Sequence, residues 1–217
     1  DHFDTSFELE HQIKGTSKEK FLDDIRYLMD NCEFVFMRQR EMLGLGHAIL
    51  TGEPMIGNEP FAVILADDLC AKPTEGGERA LSQLVALYER YQCSIVAIEE
   101  VPADETHSYG VISGDEIAPG IYQIKDMVEK PKPEEAPSNL AIIGRYILTP
   151  EIFEYLRKTK PGTNGEVQIT DALRLLAQDR LVLAVKFKGQ RFDCGSVEGF
   201  VEATNYYYEH EHLNKSA

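Results

Sequence analysis

Tryptophan is absent from the 217 residues, and the four cysteines (Cys32, Cys70, Cys93 and Cys194) form no C-x-x-C pair. That scatter argues against a disulfide framework or a zinc site and leaves reduced thiols as the simplest state. Positive charge is scarce as well. The chain has 22 Lys and Arg against 37 Asp and Glu, a formal net charge of −15 and a sequence pI of about 4.8. So acidic a chain repels a phosphate backbone and an anionic membrane surface, which speaks against nucleic-acid and membrane partners. No apolar run approaches the roughly 18 residues of a membrane helix, and residues 1–10 hold no secretory n-region or h-region. A soluble, cytoplasmic protein is expected. The chain does have 43% hydrophobic against 27% charged residues, enough for one sizeable core and one domain.

Apolar periodicity switches repeatedly between two residues and three to four, as it does in α/β chains. Phe21, Leu22, Ile25, Leu28 and Met29 form one helical face, residues 33–38 (EFVFMR) read as a strand, and 47–51 as a short helix behind the Gly44 and Gly46 loop. Residues 60–66 (PFAVILA) are a continuous apolar run between turn formers. Such a run suits a strand buried on both faces of a parallel sheet. A helix over 78–91 and a strand over 93–99 complete a strand, helix, strand unit. From Val101 onward, Pro102, Pro119, Pro131, Pro133 and Pro137 interrupt shorter strands at 109–112, 122–129 and 140–148, which predicts an added mixed layer. Helices are expected again at 150–158, at 170–178 with Thr170 or Asp171 as N-cap, and at 196–208 after a strand over 181–187. No internal repeat occurs, and 209–217 is expected to fray.

Asp67 and Asp68 follow directly on the apolar run, at the carboxyl end of a strand, where open α/β sheets place their ligands. Capping the next turn accounts for either one alone equally well. Asp193, in RFDCGS, adds a carboxylate at a second strand end that runs into Gly195 and a helix start. Two carboxylates from different strand ends suit Mg²⁺, with Asp67 and Asp193 as ligands and Asp68 as support. Glu129 and Lys130 end a strand ahead of Pro131, which stops the ladder and leaves both at a loop mouth. Neighbouring strand residues point to opposite faces, so joint action on one ligand requires a distorted backbone there. Taken alone, the dipeptide is a solvated charge pair of little worth. Gly110, after Tyr109, admits close approach of backbone to a ligand or is a plain strand start. Glu166, after Gly165, reads as readily as an acid ahead of a helix N-terminus. Gln39 and the loop 44–48 (GLGHA) offer an amide and bare backbone to a planar base, a weak signal without the G-x-x-x-x-G-K-[ST] pattern. His47 reads as an ordinary helix-start residue and Cys194 as structural.

The combination is specific. MRQREMLGLGHAILTG, FAVILADDL, YGVI, DMVEKPKPEEAPSNLAIIGRYIL, GEVQITDAL and FDCGSVEGFVEA, in this order and spacing, closely resemble the bacterial UTP-glucose-1-phosphate uridylyltransferase family of sugar-phosphate nucleotidyltransferases. The resemblance covers nearly the whole chain. It implies a Rossmann-like fold of the nucleotide-diphospho-sugar transferase type, with a mixed, mainly parallel sheet and helices on both faces. It also implies an enzyme that makes UDP-glucose and pyrophosphate from UTP and glucose-1-phosphate with Mg²⁺. Carried over residue by residue, Gln39 and Gly44 correspond to the uracil contacts, and Asp67 to the strand-end aspartate that holds metal and nucleotide. Gly110 corresponds to the glycine whose backbone meets the glucose, Glu129 to the carboxylate on sugar hydroxyls, Lys130 to the lysine on the sugar phosphate, and Asp193 to the second metal ligand. Glu166 matches a family motif and is placed near the sugar.

By the same resemblance, 1–217 is a single domain, with a nucleotide-binding part to about residue 100, a sugar-binding part over about 101–195, and a C-terminal helix and tail at 196–217. The family opens with a strand and a glycine-rich G-x-G-x-R loop followed by Pro-Lys, and these 217 residues contain neither. The expectation is an incomplete piece of the enzyme, lacking its first strand and loop. A homo-oligomer is expected, as is usual in the family. The competing reading is a non-catalytic sugar-nucleotide-binding or regulatory module on the same fold. A Mg²⁺-dependent phosphohydrolase accounts for the aspartates but leaves Gln39 and Glu129 without work.

Overall fold

The computed structural model describes residues 6–73, 76–162 and 164–213, and the chain divides into two units, Asp1–Arg38 and Gln39–Ala217. In the first unit, helix α1 (Phe7–Ile13) and a 3-10 turn (Glu19–Leu22) precede helix α2 (Asp23–Asn31). Arg26 of α2 pairs with Glu10 at 3.3 Å and Glu19 at 3.6 Å, solvated contacts of small worth. The helix expected around Phe21–Met29 forms, but the side chains of Phe21, Ile25 and Leu28 lie outside the described residues. Residues 33–38, expected as a strand, are not one: they run on without a ladder, and Val35 and Phe36 are exposed. A strand exists only through a partner, and the described part of this unit offers helices alone.

The second unit begins with α3 (Leu45–Ile56), β1 (Phe61–Ile64), β2 (Asp68–Ala71), α4 (Ala80–Tyr91) and β3 (Ser94–Glu100). It continues with β4 (Gly110–Ala118), β5 (Ile121–Glu129), β6 (Leu140–Leu148), α5 (Ile152–Lys158), α6 (Ile169–Asp179), β7 (Val182–Lys186), β8 (Gln190–Asp193) and α7 (Val197–Tyr207). Six strands form one sheet in the order β1-β6-β3-β7-β5-β4, and β2 pairs with β8 in a small antiparallel ribbon. The mixed α/β class is as expected; the mainly parallel character is not. Among the described strands only β3 and β7 pair in parallel, because β6 returns from the proline-punctuated segment and inserts antiparallel between β1 and β3. Residues 60–66 are corrected for the same reason: β1 pairs antiparallel with β6 and alternates half-buried and exposed residues, with Ile64 exposed.

Helices cover both faces, and the two-residue period assigns each strand residue to one of them. Val96, Ile98, Ile142, Leu148 and Val182 pack with Ile152 and Leu156 of α5 and Leu173 and Leu176 of α6. Their neighbours Ile95, Ala97, Ile143, Ile147 and Leu183 point the other way and pack on Ala80 and Leu84 of α4. Strand ends from β1, β3, β4, β5 and β8 supply the candidate site residues, so the sheet is the frame that positions them. No helix among the described residues is long and apolar enough to cross a membrane.

Leu84 is fully buried under the α4 face. Leu84→Ala is expected to lower stability by about 2–5 kcal/mol, read as a lower urea midpoint with an unchanged slope.

Candidate active site

The ribbon sets Asp68 of β2 directly opposite Asp193 of β8. Asp67 stands in the turn just before β2, and its carbonyl accepts the Cys194 N–H at 2.8 Å, so both strand ends are tied at the level of the carboxylates. A side chain at Gly195 would sit with its Cβ 3.0 Å from Asp193 Oδ1 and 3.6 Å from Asp67 Oδ2. The bare glycine therefore opens a small cradle between two carboxylates. Ser196 continues the strand end: its hydroxyl donates to the Asp193 carbonyl at 3.0 Å and accepts the Gly199 N–H at 3.0 Å as the α7 N-cap.

Arg191 lies two residues before Asp193 on the same strand and sits at the centre of the acids. Its side chain is only 7% exposed. Nε donates to Asp68 Oδ1, Nη1 to Glu99 Oε1 at 2.6 Å and Nη2 to Asp193 Oδ2 at 3.1 Å, while the guanidinium lies 5.0 Å over the Tyr109 ring. The Tyr109 hydroxyl donates to Asp193 Oδ2 at 3.1 Å. Burial works against the Arg191 charge, but the Tyr109 hydroxyl and the Asp68 and Glu99 carboxylates outweigh it and raise its pKa above the ordinary arginine value. Burial pushes the Glu99 carboxyl up, with Arg191 pulling against it. Asp68 is anchored further by the Gly144 N–H, 2.7 Å from its Oδ2. Arg145 holds the turn by its backbone, donating to the carbonyls of Leu65 at 3.1 Å, Gly144 at 2.7 Å and Asp68 at 2.5 Å. Asp67 is exposed, and its carboxylate accepts no hydrogen bond from the described residues.

Gly110 pairs with Glu129 across the β4–β5 ladder. A Cβ at Gly110 would come within 2.8 Å of Thr170 Oγ1 and 3.1 Å of Glu129 Oε2, so a side chain there would push on the Thr170–Glu129 pair. The Thr170 hydroxyl donates to Glu129 Oε2 at 2.7 Å. This corrects the expected cap: α6 starts at Ile169 behind Gln168 with no side-chain cap, because Thr170 is turned to Glu129 instead. Lys130 has φ +47°, one of two non-glycine residues with positive φ among those described, and its N–H donates to the Tyr109 carbonyl at 2.9 Å. The distortion needed for Glu129 and Lys130 to serve one ligand is thus present, on Lys130 itself.

Gln39 and Gly44 meet: Gln39 Nε2 donates to the Gly44 carbonyl at 3.1 Å and lies 2.9 Å from His47 Nδ1. Gly44 has φ +88°, and a Cβ there would collide with Glu166 Cβ at 2.8 Å. Val167 exchanges backbone hydrogen bonds with Leu43 at 2.7 Å and Gly46 at 2.9 Å. Glu166 therefore lies against the Gly44 loop, its Oε2 accepting from Asn164 at 2.7 Å and Gln168 at 2.9 Å. The segment from Glu166 to Thr170 joins this end to Glu129. Tyr146 is 5% exposed: burial first, then the charges of Glu129, Asp68 and Asp67, raise its hydroxyl above the phenol range.

Two carboxylate donors around a glycine cradle fit a hard divalent cation that completes its sphere with water and phosphate. No group of three or more His, Cys, Asp or Glu gathers as a metal cage among the described residues, so the donor set is limited to this open kind. Sequence reasoning missed Arg191, Glu99, Arg145 and the hydroxyls of Tyr109 and Thr170. Arg191 was the findable one, since residues i and i+2 of a strand share a face and Asp193 was already singled out.

The acids and the Glu-Lys pair stand at strand ends of a mixed α/β sheet and the glycine loop at the start of α3, and the chain matches the Nucleotidyl transferase family over residues 4–210. It is 64% identical over 209 residues to a UTP–glucose-1-phosphate uridylyltransferase of Pseudomonas aeruginosa PAO1, a match spanning 96% of this chain and 74% of that one. A Staphylococcus haemolyticus protein of the same name is 46% identical over 204 residues, spanning 94% and 69%. A solved UDP-glucose pyrophosphorylase complexed with UDP-glucose superposes with TM-score 0.87 at 57% identity, covering 97% of this chain and 76% of that one. A UTP-bound enzyme of that kind from Acinetobacter baumannii gives 0.83 at 33%, covering 99% and 74%. The chain belongs to the UTP–glucose-1-phosphate uridylyltransferase family of nucleotidyl transferases.

Removing Arg191 would leave the buried Asp68 and the half-buried Glu99 without a counter-charge. Arg191→Leu is expected to cost about 3–5 kcal/mol, and Asp68→Asn in the same chain to recover part of it. Additive losses in urea melts of the single and double variants would contradict that coupling.

Proposed function

We propose that this chain makes UDP-glucose and pyrophosphate from UTP and glucose-1-phosphate with Mg²⁺. The observation that carries the reading is 64% identity, over 96% of the chain, to an enzyme named for that reaction. Relatives described with UDP-glucose and with UTP support the same ligands. An oxygen of the sugar phosphate attacks the α-phosphorus of UTP in line. The new P–O bond forms, the bond from the α-phosphorus to the bridging oxygen breaks, and pyrophosphate leaves with that electron pair. Little covalent work falls to the protein, so its residues lower the barrier by positioning and by charge neutralisation.

In this reading Gln39 and Gly44 hold the uracil, and Glu166 serves near the sugar while it packs against the Gly44 loop. Gly110 lets the glucose approach the backbone, Glu129 accepts from its hydroxyls with the oxygen that Thr170 leaves open, and Lys130 holds its phosphate so that the nucleophile points at the α-phosphorus. Asp67 and Asp193 hold the metal ion, which when bound supplies positive charge to the phosphate oxygens. Arg191 and Tyr109 keep the Asp193 carboxylate in place. Residues up to about 100 then serve the nucleotide and about 101–195 the sugar, the two parts meeting where Asp67 and Asp193 border Gly195. The same reading includes a homo-oligomer in the cytoplasm; light scattering that finds a monomer at micromolar concentration would overturn the oligomer.

Asp67 is exposed and its carboxylate has no partner among the described residues, so its substitution separates chemistry from folding. Asp67→Asn is expected to lower kcat/KM for UDP-glucose formation by about a hundredfold or more with the urea midpoint unchanged. Full activity in that variant would overturn the two-aspartate metal site.

A further inference from the structure

The Gln39 carboxamide makes two contacts with one atom. Nε2 lies 3.1 Å from the Gly44 carbonyl oxygen and 2.9 Å from His47 Nδ1. A carbonyl oxygen can only accept, so the amide atom beside it is the NH₂ group and not the oxygen. Both amide hydrogens are then committed, one to Gly44 and one to His47. His47 Nδ1 takes part as an acceptor, which puts the ring hydrogen on Nε2. The group that Gln39 retains for a ligand is Oε1, which accepts and cannot donate. A base that presents a ring N–H, as uracil does at N3, satisfies it; cytosine presents a lone pair there and leaves two acceptors facing each other.

Gly44 alone would hold one amide hydrogen and let the carboxamide pivot about that bond. The second hydrogen bond, to His47, removes the pivot. Both acceptors ride on one rigid element, since Gly44 is the N-cap of α3 and His47 its third residue. The Thr51 hydroxyl, donating to the His47 carbonyl at 2.8 Å, is the next tie along that helix.

We propose that His47 is a positioning residue for base choice: its Nδ1 lone pair, with the Gly44 carbonyl, fixes the Gln39 carboxamide so that only Oε1 faces the base. The inference rests on the reading of Gln39 as the base contact. It gives His47 work that an ordinary helix-start residue does not have. The selected ligand chemistry is a pyrimidine with an imide N–H, and uracil and thymine are alike at that atom.

The test is the ratio of CTP to UTP dissociation constants with Mg²⁺, measured by calorimetry on the whole chain for the parent and four variants. His47→Leu removes the acceptor and is expected to lower the ratio by about three- to tenfold, the worth of one hydrogen bond, through weaker UTP binding. His47→Gln, whose polar end falls nearer the place of Nε2 than of Nδ1, is expected to behave like His47→Leu. His47→Asn keeps an acceptor near Nδ1 and is expected to restore most of the ratio, a rescue that a purely structural role would not produce. Gln39→Ala is expected to lower the ratio at least as far as His47→Leu. A parent-like ratio in both His47→Leu and His47→Gln, with the ratio lost in Gln39→Ala, would overturn the role of His47 while leaving the base contact standing. A parent-like ratio in Gln39→Ala would overturn the base-contact reading itself.

Discussion

One guanidinium holds the acidic end of the sheet together. Arg191 brings carboxylates from β2, β3 and β8 to a single planar fork, so three segments far apart in sequence are fixed relative to one another by one side chain. Taking such charges out of water is costly, and that cost is offset by four hydrogen bonds from the guanidinium, to Asp68, Glu99, Asp193 and the Tyr109 hydroxyl, and by the Tyr109 ring beneath it. Lysine could not replace it, since a point charge has no fork to distribute among three partners. Arg145 does a different job with the same chemistry. Its hydrogen bonds go to carbonyl oxygens on either side of Asp67, so the turn is held by backbone and the Asp67 side chain remains available.

Strand order explains why these groups meet at all. β6 inserts between β1 and β3, and β7 between β3 and β5, so the strand ends that follow Ile64, Glu100 and Glu129 are brought to one sheet by non-consecutive neighbours. The β2–β8 ribbon then joins the turn after β1 to the strand before α7. A site built this way has a rigid frame and short, special connections, and the positive φ of Lys130 and of Gly44 falls in two of them. At Lys130, a non-glycine residue, that conformation is strained, and such strain persists only where surrounding structure over-determines it, as the β4–β5 ladder ending there and the bond from its N–H to the Tyr109 carbonyl do.

The sequence was most legible where periodicity and burial agree. Leu140–Leu148 reads as a strand and is buried at every position, and α4, α6 and α7 fall close to their expected spans. It was least legible where pairing decides. Nothing local in FAVILADDL shows that β1 pairs antiparallel with β6, and nothing in EFVFMR supplies a ladder partner. The candidate acids were visible as residue types at strand ends, but their organisation was not. Asp68, read as support for Asp67, is pinned by Arg191 and Gly144, and neither contact lies near it in sequence. Thr170 looked like a cap by residue type, but α6 begins one residue earlier behind Gln168, and the Thr170 hydroxyl is left to a long-range carboxylate.

An acidic protein that handles polyphosphates must solve its electrostatics locally, and the arrangement shows how. Asp68, Glu99 and Asp193 meet at Arg191, Asp67 stands beside the Gly195 cradle and Arg145 holds the turn, so carboxylates outnumber guanidiniums four to two at the place assigned to the phosphates. Burial favours the neutral form of Glu99, which eases the crowding but does not reverse its sign. Left as it is, this end of the sheet repels a triphosphate. Lys130, the basic member of the proposed set that is not tied to a carboxylate among the described residues, stands on the sugar side. In the proposed reading a divalent ion would add positive charge there, and the two carboxylates facing the Gly195 cradle would receive it. The Arg191 network holds the Asp68, Glu99 and Asp193 carboxylates side by side against their mutual repulsion.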